Sequence, residues 1–82
     1  MKTLDQAPLE AVYRIRRVHA QDVHNELVHQ LEEIGFLPGE PVAILARGFP
    51  GGDPLVVRVG LSTYALRNAE ARCVELEDIQ DA

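Results

Sequence analysis

Residues Leu31-Glu32-Glu33-Ile34-Gly35-Phe36-Leu37-Pro38-Gly39-Glu40-Pro41-Val42 carry the strongest structural signal in the chain. They read as a helix end, a forced turn and the start of a strand. Gly35 can take the left-handed conformation past the last helical turn, which lets Phe36 fold back on Leu31. Pro38 and Gly39 keep the helix from continuing. Upstream, Val23, Leu27, Leu31 and Ile34 recur at spacings of four, four and three, so they share one helical face. This pattern predicts a helix from about Asp22 to Ile34, with Asp22 as acceptor for the first free amide hydrogens.

Away from this junction the chain reads as β. Ala11 to Val18 is a strand: Tyr13 and Ile15 alternate with Arg14 and Arg16, which puts the two arginines on the solvent face. Leu4 to Glu10 reads as a lead-in turn centred on Pro8. Val42 to Arg47 is a strand with Val42, Ile44 and Ala46 on one face and Leu45 on the other. Gly48-Phe49-Pro50-Gly51-Gly52-Asp53-Pro54 is a long turn dense in helix and strand breakers. Leu55 to Val59 follows with Leu55, Val57 and Val59 inward, and Gly60 marks a bend. Ser62 to Arg67 is a strand with Tyr64 and Leu66 in phase, and residues 68–71 are long enough for one tight turn only. Arg72 to Glu77 closes the chain as a strand, with Val74 and Leu76 inward and Glu75 and Glu77 outward. About five short strands with one helix after the first predict a small, partly open SH3-like β-barrel, because closure hides sheet edges.

Size and composition bound the function. With 82 residues the chain makes one domain, residues 1–82, and 46% hydrophobic residues can build its core. Cys73 is the only cysteine, so no internal disulfide forms, which fits a reducing compartment. No stretch has the length of a signal peptide's apolar core or the roughly 18 apolar residues of a membrane span. The expected location is cytoplasmic. The net charge is −5, and Arg14, Arg16 and Arg17 form the only basic cluster. A nucleic-acid binder needs a basic face to displace phosphate counterions, so the expected partner is a protein.

At this point the order of motifs resembles a known family. The run from Leu31 to Val42 is similar to the helix-to-strand junction of FeoA domains. Gly52-Asp53-Pro54-Leu55-Val56-Val57-Arg58-Val59 resembles that family's "GDP plus strand" hairpin. Tyr64-Ala65-Leu66-Arg67 resembles its "aLR" signature, and Ala69-Glu70-Ala71 the turn before its last strand. These motifs cover roughly residues 31 to 77 in register. Two positions depart from the pattern: Glu10 stands where the family often has a glycine before the first strand, and Gln30 where it often has an arginine. The resemblance implies an SH3-like cytoplasmic accessory protein of bacterial ferrous iron uptake. Its implied partner is the large membrane transporter FeoB, which has a cytoplasmic G-protein domain.

No catalytic constellation is visible, and the expected protein is not an enzyme. Ser62 has no neighbouring histidine, Cys73 reads as a small core or edge residue, and the stretch from Gly48 to Gly52 lacks the Lys-Ser/Thr of a phosphate loop. His19, His24 and His29 lie five apart, which on a helix turns each side chain by about 140° net, so they do not converge. His29 with Glu33, and Glu26 with His29, share helical faces. Together with His24 they are the candidate donors for a weakly bound divalent ion, zinc or iron, completed by a second molecule. No cofactor is expected to be required. Candidate partner contacts are Phe49, Gly51 and Asp53 on the long turn and Glu32 on the helix. An apolar side chain on such a turn either packs back on the barrel or meets a partner. The alternatives to a transporter accessory are a metal-responsive sensor or chaperone and a self-associating scaffold that pairs exposed strand edges as a homo-oligomer.

Overall fold

The computed structural model describes residues 2–19, 25–49 and 51–78. Strand β1 spans Tyr13–Val18 and helix α1 Asn25–Glu33. Strands β2 (Pro41–Arg47), β3 (Leu55–Val59) and β4 (Ser62–Leu66) follow, then the one-turn helix α2 (Asn68–Ala71) and strand β5 (Val74–Asp78). The strands form one antiparallel sheet in the order β4-β3-β2-β1-β5. With α1 against β1 this is the SH3-like architecture, and among the described residues no ladder joins β4 to β5.

The helix-to-strand junction forms as its residues dictate. Gly35 has a φ of 114°, the Phe36 N–H donates to the Leu31 carbonyl (2.9 Å) and the Gly35 N–H to that of Glu32 (3.1 Å). These are the two bonds of a glycine-terminated helix. They turn the Phe36 ring, fully buried, into the core beside Leu31, with Tyr64 at 6.2 Å between ring centroids. Leu55, Val57 and Val59 are buried as their alternation predicts, and Arg14 and Arg16 are exposed. The predicted start of α1, Asp22 and Val23, lies outside the described residues.

Three expectations change. The lead-in segment is not a mere turn. A short 3-10 turn over Leu4–Gln6 drives Leu4 and Ala7 fully into the core. Thr3 bridges to Glu75, Leu9 bridges to Ile44, and the Lys2 carbonyl accepts from the Leu76 N–H (2.9 Å). The Lys2 ammonium sits 4.7 Å from the Tyr13 ring centroid and donates to its hydroxyl (2.9 Å). That hydrogen bond is the main reason its pKa is raised above the usual lysine value.

The second change is in β2. The pairing runs Ile44 to Val57 and then Ala46 to Val56, so Leu45 is an extra residue on β2. A bulge of this kind breaks the period of two. Ala46, expected inward, is exposed and Leu45 is half-buried. The third is Glu75, expected outward and found 4% exposed. Its main chain is bridged by Thr3, and Arg17 and His19 close over its carboxylate.

Glu10 is the only described non-glycine residue with a positive φ, at 64°. This explains the glycine that the family pattern favours there. A side chain in this region costs roughly 1–2 kcal/mol, partly offset by the freedom a glycine loses on folding. Glu10→Gly is therefore expected to stabilise the domain by about 0.5–1 kcal/mol, raising Tm by about 3–6 °C. A lower Tm by calorimetry would mean that the freedom glycine adds to the unfolded chain outweighs the strain relieved at this position.

Candidate protein-contact surface

The β2–β3 loop is held at its base and exposed at its tip. The Gly48 N–H donates to the Pro54 carbonyl (2.7 Å) and the Gly52 N–H to that of Gly48 (2.9 Å). Gly51 and Gly52 take φ of 88° and 80°, which a side chain would resist. Asp53 ties the loop to the start of α2: its Oδ1 accepts from the Asn68 N–H (2.9 Å), and its Oδ2 lies 3.9 Å from the Arg67 guanidinium. The Arg47 guanidinium, at the other root, donates to the carbonyls of Ala7 (2.9 Å) and Asp5 (3.1 Å). Phe49 does not pack back on the barrel; it is 97% exposed. Burying such a side chain is worth about 1.5–3 kcal/mol, so an anchored loop presents a ready apolar contact.

A second exposed region lies at the other end of β3. Val12, Pro41, Val42, Arg58, Gly60 and Leu61 line a surface recess of about 320 Å³. Leu61 is fully exposed because Gly60 and Leu61 alone connect paired Val59 and Ser62. Gly60, with φ 58°, sits first in this two-residue hairpin turn. The five residues of β3 hold Leu61 and the Phe49 loop about 17 Å apart along the strand. The sequence signal for Leu61 was the Gly60-Leu61 pair between two alternating runs.

The helix candidates stay apart from both regions in chemistry. Glu26, His29 and Glu33 are exposed on α1, and Glu32 is half-buried. His24 lies outside the described residues. Among the described residues no group of three or more His, Cys, Asp or Glu side chains is arranged to hold a metal ion.

The structure does bring together one polar cluster that spacing along the chain does not reveal. Arg17 Nε lies 3.1 Å from Glu75 Oε2, His19 Nε2 lies against the same oxygen, and Oε1 is buried without a hydrogen-bond partner. Antiparallel pairing of Arg17 with Glu75 across β1 and β5 creates it. A cation at this carboxylate would have to displace the guanidinium, so the cluster reads as an ion pair in which a buried carboxylate meets an exposed arginine. Cys73 is buried, and its Sγ contacts the Ala69 carbonyl at 3.7 Å.

Known proteins share this arrangement. A Stenotrophomonas maltophilia FeoA crystallised with zinc is 35% identical, with a TM-score of 0.84 over 94% of this chain and 91% of its own. That protein is described as a prokaryotic SH3 domain protein and put forward as a bacterial ferrous iron transport activating factor. Iron(II) transport protein A from Clostridium thermocellum is 33% identical, with a TM-score of 0.81 over 95% of this chain and 46% of its own. T. acidophilum IdeR shares the fold alone, at 17% identity and a TM-score of 0.75 over 95% of this chain and 34% of its own. Comparison with curated proteins returns no match. A model of the FeoA domain matches residues 2–78. A helix ended by Gly35 and Phe36, a five-stranded SH3-like sheet and this match together establish that the chain belongs to the FeoA domain family.

Proposed function

We propose that this chain is a cytoplasmic, non-enzymatic accessory protein of ferrous iron uptake that docks on the cytoplasmic G domain of a FeoB-type transporter. Family membership and the role put forward for the S. maltophilia relative support the iron-transport setting. The observation that carries the docking is Phe49, an aromatic side chain 97% exposed on a loop anchored at both roots. A rigid aromatic that enters a partner's pocket loses little conformational freedom, which is why such residues concentrate binding energy. Gly51 and Asp53 shape the presenting loop, and Glu32 adds an acidic contact on α1.

An NMR titration of the isotope-labelled chain with the transporter's G domain, with and without nucleotide, tests this. The expected shifts centre on the loop around Phe49 and depend on nucleotide. Phe49→Ala is expected to weaken binding by about tenfold or more while leaving the fold intact, because the side chain makes no core contact. Unaltered spectra at high G-domain concentration, or equal binding by the variant, would remove this reading. A parallel titration with zinc alone serves the metal-responsive alternative. Tight stoichiometric shifts at Glu26, His29 and Glu33, lost in His29→Ala, would favour it instead.

A further inference from the structure

The two edges of the sheet are treated differently. The β5 edge is occupied: the Leu76 N–H donates to the Lys2 carbonyl, and Thr3 bridges to Glu75. The β4 edge pairs with nothing among the described residues. Its free groups follow from the register. The Gly60 N–H donates to Pro41 on β2 (3.0 Å), so the even-numbered residues of β3 bond toward β2 and the odd-numbered ones toward β4. Val57 pairs with Tyr64 and Val59 with Ser62, which leaves the N–H and C=O of Thr63 and Ala65 pointing away from the sheet.

Exposed edges are normally blunted by charge, proline or a bulge. Strand β4, Ser-Thr-Tyr-Ala-Leu, has none of these. The ladders of β1 with β5 and of β2 with β3 carry register shifts, but that of β3 with β4 has none. Ser62, Thr63 and Ala65 are exposed, and the fully exposed Leu61 adjoins them.

We infer that β4 is a self-pairing edge, joining antiparallel to β4 of a second copy of this chain about a two-fold axis at Tyr64. In that register Thr63 lies opposite the second copy's Ala65, and Ala65 opposite its Thr63. All four outward backbone groups of each strand are then used, in two mutually bonded pairs. Charge selects the occupant. Each copy carries a net charge of −5, which opposes self-association through charged surface, whereas β4 brings no charged side chain to the axis. The same register lays Leu61 beside the second copy's Arg67, whose aliphatic stem can cover it.

A pair of five-residue strands buries far less than a standard interface, so the dimer is weak, with a Kd of about 0.1–1 mM. Sedimentation equilibrium is expected to show monomer at about 20 µM and a substantial dimer fraction at about 1 mM. Over the same range the Thr63 and Ala65 amides should exchange several-fold more slowly with solvent. Thr63→Pro removes one outward N–H without touching the β3 ladder, and edge strands accept proline in that position. It should weaken dimerisation by about tenfold or more while preserving the fold. A chain that stays monomeric at about 1 mM, or a folded Thr63→Pro variant that dimerises like the parent, overturns the inference. Should the variant fail to fold, exchange of the two amides in the unaltered chain decides. Protection that arises only when G domain is added assigns the edge to that partner and also overturns self-pairing.

Discussion

Phe36→Ala is expected to lower stability by about 4 kcal/mol, the range for emptying a fully buried aromatic site. Phe36 has no exposed surface, lies beside Tyr64 and occupies the turn that ends α1. The Leu31 and Tyr64 side chains around it come from a helix and a strand, so neither can move into the void without breaking its own packing. A domain of 82 residues has about 4–12 kcal/mol of total stability, so the loss takes between about a third and all of it. The expected fall in Tm is about 20 °C or more. Phe36→Leu keeps more of the volume and should cost about half as much. A change in Tm below about 5 °C for the alanine variant would show that the core closes around the missing ring.

Gly48→Ala is expected to cost about 3 kcal/mol, at the upper end of overpacking penalties. A Cβ at this position would meet the Asp53 carbonyl oxygen at 2.7 Å, its carbon at 2.8 Å and the Pro54 oxygen at 2.8 Å. All three are backbone atoms, so no rotamer change relieves the overlap. The loop would have to open, which breaks the bond from Gly48 N–H to Pro54 and loosens the contacts Asp53 makes with Asn68 and Arg67. Chemical denaturation should show the loss, and the amide spectrum should change at Arg47, Gly48, Phe49, Gly51, Gly52, Asp53 and Asn68. Gly51→Ala is the control. It meets no atom within 4 Å, so it bears only the cost of its positive φ. Equal stability of the Gly48 variant and the parent would mean that the close approach of the two loop roots is dispensable. Because the same loop presents Phe49, the Gly48 variant should also weaken any contact made through that side chain.

Most of the elements were legible along the chain because their causes are local. Gly35 and Phe36 end α1 through bonds to residues three and five positions away. The alternation of Leu55, Val57 and Val59 assigns β3 its inner face, and Gly60-Leu61 can only be a tight turn. The candidate contacts were legible in part. The breakers around Phe49 put it on a turn, but only the folded chain shows that it points to solvent and that Asp53 is engaged with α2.

Strand and helix order, the helix stop and the family are all written along the chain, since each rests on residues close together in it. Assembly of the sheet set the rest. It drew Leu4 and Ala7 into the core, buried Glu75 under Arg17 and His19, placed the bulge at Leu45 and left the β4 edge unpaired among the described residues. The difference comes from separation. Arg17 meets Glu75 across 58 positions, and the register of β2 depends on where β3 can align with it. Periodicity records which residues share a face; only the assembled sheet determines which faces and edges are covered, and by what.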